Sequence, residues 1–154
     1  MIVNINYRGH IHGTVEHLKF SKWKPQQCVI RLEKYSLIIF KNCKCRIMGC
    51  KQPIDKWKID IAEYKIKLIV ERIQSITVTC KLGLTSVNMY KLAVKMDSLY
   101  EPELFPAIRI NMYRPLCVNV FGNGNIVILG LKSLETINET VNDIVSNILK
   151  YAIV

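Results

Sequence analysis

Apolar and polar positions alternate every second residue, or gather into short β-branched blocks, at eight places along the chain: IVNIN (2–6), VIRLEKY (29–35), SLIIF (36–40), CRIMG (45–49), IQSITVTC (73–80), AIRIN (107–111), CVNVF (117–121) and NIVILG (125–130). Each predicts a strand. The links are short, and Gly122-Asn123-Gly124-Asn125 carries the residues that accept positive φ in a hairpin turn. Two other stretches follow a period near 3.6. Behind Ser133, which suits an N-cap, Ile137, Val141, Ile144, Ile148 and Leu149 form one apolar stripe out to Tyr151. Behind Pro53, where a first-turn proline belongs, Trp57, Ile61, Tyr64 and Leu68 recur at helical spacing toward Val70 and predict a second long helix.

These elements repeat. VIRLEKYSLIIFKNCKCRIMGCK (29–51) aligns with AIRINMYRPLCVNVFGNGNIVILGLK (107–132) if the second copy carries a three-residue insertion. Phe40 then falls on Phe121, Asn42 on Asn123, Ile47 on Ile128, Gly49 on Gly130 and Lys51 on Lys132. Upstream of the insertion, Ile30, Arg31 and Tyr35 fall on Ile108, Arg109 and Tyr113. Each copy follows another β-like run and a less regular segment, and each precedes a helix. The expectation is an α+β fold of two pseudo-symmetric halves, residues 1–71 and 72–154, sharing an antiparallel sheet with helices on one side and an open face on the other.

Composition narrows what such an open face meets. The 154 residues are half hydrophobic and carry a net charge of +10, which points to an anionic partner, nucleic acid before membrane. No apolar run approaches the roughly 20 residues of a membrane span, and MIVNINYRGHIHG lacks the character of a signal peptide, so the chain is expected to stay inside the cell. The six cysteines are then expected as reduced thiols.

One stretch stands apart from this basic background. YEPELFP (100–106) places two carboxylates, two prolines and the apolar pair Leu104–Phe105 in a shaped loop. It is, as it stands, the pattern of the second stirrup loop of the TATA-box-binding protein (TBP) family. Arg114-Pro115 follows where that family has a basic residue and proline, VFGNGN resembles its F-x-S-G-K hairpin, and ILGLK its LTGAK. In the first copy IIFKNCK and MGCK stand in for the same hairpin and glycine, while IQSITVTC and VNIN resemble the strands that open the two halves.

The resemblance implies a TBP-like saddle with DNA under a curved sheet and helices on the convex face. It implies a transcription initiation factor, not an enzyme, that needs no cofactor and binds and bends A/T-rich promoter DNA through the minor groove. Phe40, Phe105 and Phe121 would be wedges between base steps, Asn4 a groove-floor reader, and Arg31, Arg109 and Arg114 phosphate contacts. Tyr100, Glu101, Glu103 and Leu104 would dock a TFIIB-like transcription factor, the carboxylates pointing away from DNA; other subunits of the transcription machinery are further partners, and no membrane is involved. The place of work would be the nucleus, or a cytoplasmic viral factory were the source viral.

The chain also departs from the pattern. The fourth wedge position aligns with Gln26, with Trp23 near enough to substitute; Ser75 stands for the second groove asparagine, Met48 and Leu129 for threonines, and Asn111 for an arginine. Losing polar groups at the groove floor weakens sequence readout more than affinity. The alternative is a TBP-fold platform for protein partners with weak or no specific DNA binding. Cys43, Cys45 and Cys50, and His10, His12 and His17, are read as packing and surface residues rather than metal ligands. Lys56, Lys58, Lys65 and Lys67 are read as the solvated face of the first long helix. No G-x-S-x-G, phosphate loop or H-E-x-x-H occurs, which speaks against an enzyme.

Overall fold

In the computed structural model, residues 1–153 are described, Ile153 by its backbone alone. The chain divides into an N-terminal unit, Ile2–Ile76, and a C-terminal unit, Thr77–Val154 together with Met1. The strands in order are β1 (Ile2–His12), β2 (Gln27–Arg31), β3 (Ser36–Phe40), β4 (Lys44–Cys50), β5 (Lys58–Ile61), β6 (Ile66–Lys81), β7 (Ala107–Ile110), β8 (Cys117–Phe121) and β9 (Asn125–Leu131). Among the described residues there are two α-helices, α1 (Met89–Lys95) and α2 (Ile137–Ile153), and two 3₁₀ turns, Ala62–Tyr64 and Asn111–Tyr113, so the expected α+β class is the one observed.

In the N-terminal unit the hydrogen-bonded order is β2-β3-β4-β1-β6, with β5 also on β6. Alternation decides which side of each strand is covered. Ile5, Tyr7 and Ile11 of β1, Leu37 and Ile39 of β3, and Cys45 and Ile47 of β4 are buried, while the residues between them face the other way. Val15 and Leu18, from the segment after β1, are buried with them. Gly9 allows β1 to approach β6, since a Cβ there would clash with the Ile69 carbonyl oxygen.

The long helix expected over Pro53–Val70 does not form. The segment runs as coil, β5, a 3₁₀ turn at Ala62–Tyr64 and the start of β6. Lys58–Ile61 and Ile66–Ile69 pair as an antiparallel hairpin, closed by Lys65 in the left-handed region at φ 52°. The 3.6-residue reading rested on Trp57, Ile61, Tyr64 and Leu68, yet Trp57 is 57 % exposed while Ile66, Leu68 and Val70 are buried at a spacing of two. The run Ile66-Lys67-Leu68-Ile69-Val70, with β-branched Ile66, Ile69 and Val70, suits a pleated surface, and the strand period prevails. Lys56, Lys58, Lys65 and Lys67 are solvent-exposed as expected, but on this hairpin and its approach rather than on a helix.

The C-terminal unit orders its strands β6-β9-β8-β7. Here the predicted helix is present: Ile137, Ile144 and Ile148 of α2 are buried, and Asn147 Nδ2 donates to the Tyr113 hydroxyl at 2.7 Å. Ser133 does not cap it directly; its hydroxyl accepts from the Thr136 N–H at 3.4 Å, one residue before the helix begins. α1 is capped by Asn88, whose side chain accepts from Lys91 N–H.

The hairpins β3–β4 and β8–β9 repeat one another in detail. In each the residue after the turn asparagine has positive φ, Cys43 at 65° and Gly124 at 79°. Its N–H donates to the carbonyl of the last strand phenylalanine, Phe40 or Phe121, at 2.9 Å. Asn42 and Asn123 each accept from the backbone N–H two residues on, both at 3.1 Å. Gly49 and Gly130 interrupt β4 and β9 at the same place with φ 85° and 94°.

Upstream, the strand register corrects the alignment read from sequence. Gln27 pairs with Phe40, and Ala107 with Phe121. Counting back along each pair makes Val29 the counterpart of Arg109, Ile30 of Ile110 and Arg31 of Asn111. The second copy's link is therefore longer by one residue, 112–116 against 32–35, not by three. The error was a slip of two residues, which leaves every apolar side chain on its proper face and so is invisible to a pattern of period two.

A stability prediction follows from the second turn. A Cβ at Gly124 would lie 2.6 Å from the Leu84 carbonyl oxygen, in a backbone already at positive φ. Gly124→Ala is expected to lower unfolding stability by about 2 kcal/mol, measured by urea titration.

Candidate nucleic-acid interface

The faces of the sheet left open by the buried alternation carry most of the residues singled out in the sequence. In the C-terminal unit, Phe121 closes β8 and Phe105 lies in the loop before β7. Their rings meet edge to face, centroids 6.2 Å apart with planes at 62°. Phe105 is 38 % exposed. Arg109, on the same face of β7, holds its guanidinium carbon 5.8 Å from the centre of that ring.

The loop 100–106 is held from within. The Glu101 carbonyl accepts from both Leu104 N–H and Phe105 N–H at 3.0 Å, and the Tyr100 ring stands edge-on to Tyr90 of α1 at 5.0 Å. Leu104 projects with 79 % of its surface exposed, and Glu101 and Glu103 are exposed beside it. Glu101, Leu104, Phe105, Arg109 and Arg114 line one hollow of about 330 Å³. Glu101 thus borders the same hollow as Arg109 and Arg114, while Glu103 is not among its lining residues. Arg114 donates through Nη2 to Asn111 Oδ1 at 3.3 Å. Phe121 also borders a second hollow of about 670 Å³ with Met1, Thr79, Lys81 and Val127.

In the N-terminal unit Phe40 ends β3 on the open face, with the Arg46 guanidinium carbon 5.9 Å from its ring centre. Arg31 is exposed at the end of β2. Asn4 lies on β1 with its Oδ1 buried and without a hydrogen-bond partner. Phe105 stands two residues before Ala107, so the register makes Pro25, two before Gln27, its counterpart rather than Gln26. No aromatic ring occupies that place. Trp23, two residues earlier, is 94 % exposed in the preceding loop.

Several residues of this face were missed by sequence reading. Arg8 and Arg46 are cross-strand partners of β1 and β4, both exposed. Asn6 accepts from Gly49 N–H at 3.2 Å, tying down the interruption in β4, and donates through Nδ2 to Ser75 at 3.3 Å. Asn119 is a buried polar side chain on β8 that accepts from the Cys117 thiol at 3.7 Å. Glu71 pairs at 2.6 Å with His10, which the sequence reading had named only as a surface residue. The signal that would have found them is parity: each stands an even number of residues from a recognised site residue or opposite one in register.

The thiols are placed for packing. Cys45 and Cys50 are buried; burial, with the Glu71 charge adding to it, pushes the Cys45 thiol up to about 12. Burial likewise raises Cys28, Cys50 and Cys80. These groups are held as neutral thiols at physiological pH. Cys43 is half-exposed in the turn and donates to the Gly13 carbonyl.

Residues 71–151 match the family described as "Transcription factor TFIID (or TATA-binding protein, TBP)". The TATA-box-binding protein of Methanococcus aeolicus is 31 % identical over 146 residues, covering 80 % of this chain and 80 % of the relative. That of Methanocaldococcus jannaschii is 28 % identical over 153 residues, covering 85 % and 80 %. The TATA-box-binding protein-like 1 of Entamoeba histolytica is 30 % identical over 159 residues, covering 93 % and 73 %. Among solved structures, Methanococcus jannaschii TBP superposes with a TM-score of 0.74 at 25 % identity, covering 97 % of each chain.

Proposed function

This chain belongs to the TATA-box-binding protein family, and on that premise we propose that it is a transcription initiation factor that binds A/T-rich promoter DNA in the minor groove, bends it, and recruits a TFIIB-like factor through the loop 100–106. The observation that carries the reading is the Phe105–Phe121 pair on the open face, with Arg109 against the outer ring. Two partly exposed rings at the end of a sheet have no packing purpose of their own. Beside a guanidinium that can hold a phosphate, they form a wedge able to enter a base step and kink it toward the major groove. Easily unstacked pyrimidine–purine steps cost least to open, so selectivity arises partly from deformability. Nothing in this function calls for a cofactor or a catalytic group.

A second reading, a docking platform with little specific DNA binding, is favoured by the exposed apolar side chains Tyr90, Val94, Leu99 and Leu104. Energy transfer between the ends of a doubly labelled TATA duplex decides between them. Titration is expected to raise transfer to a plateau, more on TATA than on a G/C-rich duplex and at both low and moderate salt. Binding equal on both duplexes, without a change in transfer and lost as salt rises, would leave phosphate attraction alone and favour the platform.

A further inference from the structure

Because the hairpins β3–β4 and β8–β9 share their turn, their positive-φ residue and their interrupting glycine, positions on the two open faces can be equated one by one. The chemistry at equated positions is exchanged. Arg46 of β4 occupies the place of Val127 of β9, and Val29 of β2 the place of Arg109 of β7. β7 and β2 end the strand order of their units, whereas β4 lies inside it, next to β1. The C-terminal unit thus carries its cation at the rim beside the wedge. The N-terminal unit has Arg31 at the end of its edge strand and, in addition, two cations on inner strands, Arg8 directly opposite Arg46 and Arg46 with its guanidinium carbon 5.9 Å from the Phe40 ring centre.

Two like charges in cross-strand register repel. No carboxylate lies within 4 Å of either guanidinium among the described residues, and Glu71 of the same unit is engaged by His10. The arrangement calls for negative potential from outside the chain. We propose that Arg8 and Arg46 enter the minor groove and read A·T base pairs there, so that the N-terminal half holds DNA by charge at the groove floor while the C-terminal half holds it by wedges. A guanidinium only donates. Adenine N3 and thymine O2 accept on the groove floor, whereas the guanine amino group presents a donor that a guanidinium cannot satisfy. A narrow A/T-rich groove also concentrates negative potential. This rests on the DNA-binding reading above.

The test is Arg46→Val, which installs the residue of the matching C-terminal position, alongside Arg8→Gln and the double variant. Each is titrated against TATA, inosine·cytosine-substituted and G/C-rich duplexes over a range of salt, with thermal melting to verify the fold. Wild-type protein is expected to bind the inosine duplex as it binds TATA, because the two share a minor-groove face. Arg46→Val is expected to lose about tenfold on both but little on G/C. The slope of log affinity on log salt should fall by about 1 for each arginine removed, with energy transfer at saturation unchanged because Phe105 and Phe121 are untouched. The reverse exchange, Val127→Arg, should steepen the slope. An equal loss on all three duplexes would make these phosphate contacts and overturn the proposal, as would no loss on any. Failure of the wild-type protein to bind any duplex would instead overturn the DNA-binding reading itself.

Discussion

With Phe105 and Phe121 both replaced by alanine, the protein is expected to bind a TATA duplex about 100-fold more weakly and to leave it nearly straight. The magnitude follows from what the rings must offset. Opening a base step costs a few kcal/mol, and an aromatic side chain stacked on a base contributes about 1–3 kcal/mol by alanine substitution. Losing two such contacts comes to roughly the 2.7 kcal/mol that a factor of 100 represents. The bend should suffer more than the affinity, since Arg109 still attracts phosphates, and Arg8 and Arg46 the groove floor, without a wedge. The single variants should not sum to the double, because the rings touch at 6.2 Å and each supports the other's orientation. Bending is read by end-to-end energy transfer at saturation and affinity by titration. A double variant that still bends the duplex would remove both rings from the site.

The second half of the chain was legible because three independent signals coincide there. Alternation gives β7, β8 and β9, Gly122–Asn125 gives the hairpin, and a 3.6-residue stripe gives α2. The first half was legible only from β1 to β4. Around Leu68 the helical and strand periods share residues, and the outcome turned on β-branched content and on a 3₁₀ turn whose closing lysine adopts φ 52°, for which no local residue type gives notice. As a result, among the described residues α-helix occurs only in the C-terminal unit.

The site was legible in the same uneven way. Phe105, Phe121, Glu101, Leu104 and Arg109 were singled out because a continuous motif announces them, and the structure gathers them around one loop and one strand pair. Arg31 was matched to Arg109 by the two-residue slip; register matches it to Asn111. Arg8 and Arg46 are far apart in sequence and form no motif. Only the pairing of β1 with β4 reveals that they stand side by side.

Glu101→Arg combined with Glu103→Arg is expected to reduce recruitment of a TFIIB-like factor to the protein–DNA complex by on the order of 100-fold or more while leaving DNA binding intact or tighter. The loop presents an acidic pair in a chain of net charge +10, next to Leu104 at 79 % exposure. Its shape is set by backbone hydrogen bonds to the Glu101 carbonyl and by the Tyr100–Tyr90 contact, none of which involves a carboxylate, so the substitution changes charge and not conformation. A partner that recognises this loop must offer cations around an apolar recess. Setting arginines against those cations costs several kcal/mol, hence the size of the expected loss. The effect on DNA is expected to have the opposite sign, for Glu101 borders the same hollow as Arg109 and Arg114. An arginine there adds attraction to phosphate, seen as a steeper dependence of affinity on salt. Native gel shifts with and without the factor, at two salt concentrations, separate the two effects. A double variant that recruits the factor as wild type does would refute the docking role of the loop, and one that loses DNA binding in parallel would place both carboxylates in the DNA site instead.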